Sequence, residues 1–342
     1  MNEAIVEGPY LSDLLAQPEA VRATAAGLKR PPGRPLSARK FRLVVLTGMG
    51  ASHHALIPLQ LALLRAGVAA VTLETSELLP LGDALLREDV LLVAVSQSGR
   101  SVETVRLLEE ARGRAVCVGV TNDPRSPLGQ RADGLVLLQA GRETSVSCKT
   151  YVATLVALDW LARALLEDES GFGAEDWHAV AGWMENYLSD WRGHVAHIME
   201  ECRGVDAVAV VGRRDSLATA GTGALILKEA ARRQAEGMSS AAFRHGPIEA
   251  VSARHLTVIL EGGAAVSELH QRLAADIRRA GGKTVMISAH SAIPAYRVPP
   301  VLGMAAAAAE ILPVQMMTLA FAALAGIEAG RFQRASKVTV VE

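Results

Sequence analysis

The chain has 342 residues, half of them hydrophobic and 21% charged, which suits sizeable cores and excludes a disordered polypeptide. A formal charge of −1 and a pI near 6.8 call for neither nucleic acid nor an anionic membrane as partner, so any anion must be held by a local device. The three cysteines, Cys117, Cys148 and Cys202, show no CxxC or Cys/His ligand spacing, which argues against both a disulfide framework and structural zinc.

Residues 1–30 carry apolar side chains at helical spacing, and the Pro-rich run 31–35 breaks that helix. Short apolar runs then alternate with longer amphipathic ones. Phe41–Thr47, Val68–Leu73, Val90–Ser96, Ala115–Thr121 and Gly134–Leu138 read as strands, with helices such as His54–Arg65 and Val102–Arg112 between them. Their nearly unalternated, β-branched character fits strands buried on both faces of a parallel sheet, and the alternation predicts a doubly wound α/β domain. A helix over Lys149–Leu166 closes this half, and the acidic stretch Glu167–Asp176 marks a boundary. After a helix over Trp177–Cys202 the pattern restarts, with strands at Val205–Gly212, His255–Glu261 and Lys283–Ser288. Helices are expected at Leu217–Glu236, Ser267–Ala280 and Ala305–Ala325. The expected divisions are a helical segment 1–40, a domain 41–166, a helical linker 167–203, a second domain 204–330 and a tail 331–342. The Ala-rich stretch Met304–Ala309 meets Glu310 and Pro313, so it reads as too short to span a bilayer. Met1–Ala4 does not open a signal peptide, and a cytoplasmic protein is expected.

The halves read as diverged copies. Val44–Ser52 and Val208–Ser216 both run strand, glycine, short turn, serine, helix. In the first, Gly48, Gly50 and Ser52 sit where a strand ends and a helix begins. Glycines there permit a tight turn and close approach to a ligand, and the helix start favours an anion. Alone, this is equally a plain turn with Ser52 as helix cap. The second segment, Ser96–Ser101, again follows a strand and concentrates Ser96, Gln97, Ser98 and Ser101 within six residues. Hydroxyls, an amide and free N–H groups are neutral donors suited to a phosphate dianion, and adjacent strand ends of an open α/β sheet share one crevice. No G-x-x-x-x-G-K-[ST] run or acidic cluster points to a nucleotide triphosphate, magnesium or another cofactor.

These two segments resemble the phosphosugar-binding signatures of the sugar-isomerase (SIS) domain family. Gly141–Thr150, Gly223–Glu229, Arg244–Pro247 and the Lys337 tail are similar to ordered motifs of the isomerase half of glucosamine-6-phosphate synthase, so the resemblance runs from about residue 40 to the end. It implies two tandem SIS domains, flavodoxin-like doubly wound parallel sheets. It places Ser52, Ser96, Gln97, Ser98 and Ser101 on the phosphate, with Gly50 in the loop, and lines the sugar with Val146 and Ser147. It also makes Glu229 the base that moves a proton between C1 and C2 of the open-chain sugar. A carboxylate suits that role because partial burial raises its pKa towards neutrality. His245 would assist ring opening from a neighbouring subunit, which implies a homodimer. Lys337 would close over the sugar and can form a Schiff base with the keto form. Without the resemblance, Glu229 beside Lys228 is a surface ion pair, His245 a loop histidine and Lys337 a solvated charge.

Departures from the synthase narrow the expectation. About 40 residues precede the first strand and no nucleophilic Cys follows Met1, so no glutaminase domain is expected. Thr222 and Ile226 stand where the synthase carries a Glu and a Lys on the face of Glu229. The layout resembles SIS-type glucosamine-6-phosphate deaminases, which implies hydrolytic conversion of glucosamine 6-phosphate to fructose 6-phosphate and ammonium. Fructosamine-6-phosphate deglycases share that layout. A non-catalytic sugar-phosphate sensor is the alternative of another class.

Overall fold

The computed structural model describes residues 5, 7–28, 37–168, 173–334 and 336–337. The Pro-rich run 31–35 and the tail beyond Lys337 lie outside them. Contacts group the chain into two units. One holds 17–143 and 148–181 together with the tail, and the other holds the chain up to Ala16, 144–147 and 182–333.

The first unit is built on five parallel strands, β1 Leu43–Gly48, β2 Ala70–Glu74, β3 Val90–Val95, β4 Val116–Thr121 and β5 Gly134–Leu137, in the order β2-β1-β3-β4-β5. The central strand β3 is buried at every residue, as its unbroken apolar run requires. On one face Val45, Leu92 and Ala94 pack with Leu107, Leu108 and Ala111 of the Val102–Ala111 helix and with Leu128. The Gln17–Gly27 and Ala51–Arg65 helices both pack on the Lys149–Leu166 helix, which buries Tyr151, Leu155, Leu158 and Leu161. The amino-terminal region is two helices, Pro9–Leu15 and Gln17–Gly27, rather than one.

The second unit carries four parallel strands, β6 Ala207–Gly212, β7 Gln234–Ser239, β8 His255–Leu260 and β9 Lys283–Ile287, in the order β7-β6-β8-β9. This repeats the first order without its fifth strand, as a duplicated unit requires. The expected helix to Glu236 is corrected here: it ends at Ala231, and Gln234–Ser239 is a strand. It escaped the pattern because it is an edge strand, exposed at three of six positions and without an apolar run. The expected Trp177–Cys202 helix is two, Ala174–Ser189 and Trp191–Cys202, and the remaining expected strands and helices of both units hold within a few residues. The Gly303–Leu324 helix is the one helix among the described residues long and apolar enough to cross a membrane, and 94% of that stretch is buried inside the protein. Glu310 and Pro313 therefore do not end the apolar element but lie within a 22-residue core helix, packed on the Leu217–Ala231 and Trp191–Cys202 helices.

Candidate active site

β1 and β3 run side by side with Gly48 in register with Val95, so segments 49–52 and 96–101 leave the sheet at one edge. The strand order reverses its direction of winding here, and the connections diverge to open a crevice. Space at Gly48 is short: a Cβ would stand 2.9 Å from the Val95 carbonyl oxygen and 3.1 Å from Ser52 Cβ. Gly50, at φ 53°, turns the chain into the Ala51–Arg65 helix, and Ser52 is half-buried in its first turn.

The Ser96–Ser101 loop is held by its own backbone. Ser96 Oγ accepts from the Gly99 N–H at 3.1 Å and Ser98 Oγ from the Arg100 N–H at 3.2 Å. Each hydroxyl used as an acceptor still has its own proton to donate, which is what a phosphate oxygen needs. Ser101 Oγ lies 2.7 Å from Thr104 Oγ1. Ser96 is 9% exposed, while Gln97, Ser98 and Ser101 are half-buried.

A third strand end, which sequence reasoning passed over, fixes this loop. Thr121 Oγ1 and the Asn122 N–H both donate to the Gln97 carbonyl, at 3.2 and 3.1 Å. Arg100 Nη2 donates to Asp123 Oδ2 at 2.8 Å and holds that carboxyl below the usual range. The cation nearest the serines is thus engaged by Asp123, and the donors left in the loop are neutral.

Sequence reasoning also missed Glu143. Its side chain is fully buried and accepts from the Cys148 N–H at 2.9 Å, the Thr150 N–H at 3.0 Å and Thr150 Oγ1 at 2.6 Å. Lys337 Nζ completes the set at 2.5 Å from Glu143 Oε2. An ion pair inside a hydrogen-bonded loop ties the chain's tail to the segment after β5. Gly141–Thr150 had been singled out, but nothing in the linear pattern joined residue 143 to residue 337.

In the other unit, Glu229 is half-buried near the end of the Leu217–Ala231 helix, above the fully buried Thr222 and Ile226. His245 ends the short Ser240–Arg244 helix and is exposed. Val146 is 1% exposed and Ser147 half-buried, in a segment pinned by Ser145 Oγ donating to the Gly330 carbonyl at 2.6 Å.

The second copy of the glycine–serine turn is filled by the protein itself. Ser216, 1% exposed, donates to Glu310 Oε1 at 3.0 Å, and burial pushes the Glu310 carboxyl up to about 8. Beside it, Arg213 Nε donates to Ser240 Oγ at 2.9 Å, and His270 Nε2 lies 3.0 Å from the same hydroxyl. An internal carboxyl bonded to the serine leaves no equivalent anion cup there. Among the described residues no group of three or more His, Cys, Asp or Glu side chains is placed to hold a metal ion.

Comparison with known proteins matches residues 39–164 to the SIS domain. The glutamine–fructose-6-phosphate aminotransferase (isomerizing) of Pyrobaculum aerophilum is 27% identical over 99% of this chain, which spans 59% of that relative's length. Among solved structures, the C-terminal domain of glucosamine-fructose-6-phosphate aminotransferase from Francisella tularensis aligns over 95% of this chain and 98% of its own (TM-score 0.78, 20% identity). Glucosamine-6-phosphate deaminase from Thermotoga maritima aligns over 98% and 100% (TM-score 0.80, 17% identity). The SIS match thus falls on the first unit, and the fold as a whole resembles that of the isomerase half of the aminotransferases.

Proposed function

We propose that this chain is an amino sugar phosphate deaminase, converting glucosamine 6-phosphate and water to fructose 6-phosphate and ammonium. The observation that carries the reading is the neutral cup at the ends of β1 and β3. Ser96 and Ser98 accept from backbone N–H groups and keep their own protons for a ligand, while Arg100 is engaged by Asp123. Such a cup suits a monophosphate rather than a nucleotide, and phosphate binding by Ser52, Ser96, Gln97, Ser98 and Ser101 follows.

His245 assists opening of the pyranose to the C1 aldehyde. Glu229 then takes the C2 proton, giving an enolamine, and returns a proton to C1 to leave a C2 ketimine. Water adds to C2 and ammonia departs, so no net oxidation occurs and no cofactor enters the balance. Lys337 anchors the tail through Glu143. An ammonium held in an ion pair is not a nucleophile, which favours anchoring over Schiff-base chemistry. The exposure of His245 supports its working at the site of a neighbouring protomer in a homodimer.

The test is ammonia release from glucosamine 6-phosphate. Glu229→Gln is expected to keep hexose phosphate binding and to lose turnover by ~10³-fold, more than removal of a general base alone accounts for at the low end. Turnover only on a 6-phosphofructosyl amino acid would assign the deglycase reaction instead. Phosphate binding with no turnover on either substrate would make the chain a sensor.

A further inference from the structure

His245 is exposed at the end of a five-residue helix, and the chain turns away at Gly246, whose φ of 132° suits glycine. A helix that short has no stability of its own. It keeps one shape only if the rest of its unit holds it, and a side chain that does acid–base work needs such a hold. Three contacts supply it. All three reach the same element, the Ala264–Arg279 helix.

At the start of the short helix, Ser240 is 3% exposed and His270 is fully buried. His270 Nδ1 lies 3.0 Å from the Glu261 carbonyl oxygen, which can only accept, so Nδ1 carries the ring proton and Nε2 is an acceptor. Ser240 Oγ therefore donates to His270 Nε2 at 3.0 Å and accepts from Arg213 Nε at 2.9 Å. In the middle, Phe243 is buried in one cluster with Leu273, Ala274 and Ile277. At the end, Arg244, the residue before His245, pairs with Asp276 at 2.7 Å. An apolar side chain at 270 would fill the core as well. A buried polar network in which each donor meets an acceptor fixes one arrangement of the backbone that carries it.

We propose that His270 and Asp276 are positioning residues, which hold the two ends of the Ser240–Arg244 helix and so aim His245 at its substrate. They act through His245, and the inference rests on the role proposed for it above. His270 contributes the neutral, doubly bonded ring, and Asp276 contributes the charge that restrains Arg244.

The experiment pairs ammonia release from glucosamine 6-phosphate by the full chain with hydrogen exchange of the 240–246 amides. His270→Leu removes both polar ties, whereas His270→Gln keeps a donor for the Glu261 carbonyl and an acceptor for Ser240. His270→Leu should lower kcat ~10-fold at unchanged KM, and His270→Gln should recover it to within ~threefold of wild type. Exchange at 240–246 should quicken ~10-fold in the leucine variant and stay near wild type in the glutamine variant. Asp276→Ala breaks a half-exposed pair and should lower kcat ~threefold, which keeps the test open if His270→Leu does not fold. Unchanged exchange or unchanged kcat in the folded variants, a loss carried by KM, or a loss that glutamine does not recover would overturn the proposal. Full turnover by His245→Ala would overturn it together with the role of His245. Lack of turnover by the wild type would fail the deaminase reading instead, and exchange then decides the hold alone: quickened in His270→Leu, it stands; unchanged, it falls.

Discussion

At the scale of single residues, the two halves put one serine to opposite uses. Ser52 stands half-buried at an open strand end, whereas Ser216 is spent on Glu310. Glu310 has one carboxylate oxygen bonded to Ser216 and the other without a hydrogen-bond partner, so burial favours the neutral acid. The folded chain then holds a proton that the unfolded chain releases above its ordinary pKa of 4.5. Stability from this group is fully present below about 4.5 and declines as pH rises towards about 8. Glu310→Gln removes the titration. Thermal melts should show the wild type losing several degrees between pH 5 and pH 9 and the variant losing less; parallel curves would refute the assignment. On the other face of the molecule's chemistry, Ser98→Ala removes one donor to the phosphate and leaves the proton shuttle intact. An increase in KM of ~10-fold with little change in kcat is expected, from the ~1.5–3 kcal/mol of a hydrogen bond to a charged group. Steady-state kinetics would separate this from a loss confined to kcat.

The element that decides the site is the loop between β3 and the Val102–Ala111 helix. Its shape depends on Gly99, at φ 61°, where a Cβ would stand 2.1 Å from Ser126 Oγ and 3.0 Å from Thr121 Oγ1. Alanine there meets both a left-handed backbone, costing ~1 kcal/mol or more, and a clash with the strand end that fixes the loop. Gly99→Ala should therefore lower hexose 6-phosphate affinity by at least ~tenfold in a ligand-induced melting shift, even where the fold survives. Retained affinity would mean that the loop is not the phosphate holder. Elements of this kind were legible in the linear pattern because a fully buried strand and a following run of hydroxyls are local features. β7 was not. A polar edge strand has no apolar signature, and its six residues become a strand only by pairing with β6.

For the whole molecule, the proposed sharing of His245 between protomers leads to a mixing test. Glu229→Gln and His245→Ala, each inactive alone, are co-expressed so that mixed dimers form. A mixed dimer with shared sites has one site with both residues intact, so activity should return to about a quarter of wild type after random pairing. No recovery, with a dimer seen by light scattering, would place His245 within its own protomer's chemistry. Duplication is also a property of this scale. The orders β2-β1-β3-β4 and β7-β6-β8-β9 repeat, yet the first edge keeps its serines open and the second closes on Glu310.

The amino-acid sequence by itself determined the doubly wound α/β character, the duplication and the serine-rich loops, since burial on both strand faces and turn chemistry are written in consecutive residues. Tertiary structure alone decided the partners of buried charge. Glu143 meets Lys337 across 194 positions of chain, and Glu310 meets Ser216 across 94. The ion pair anchors the tail, and the neutral acid closes the second cup. The physical reason is that the cost of burying a carboxyl depends on what surrounds it in space, and no periodicity along the chain records that.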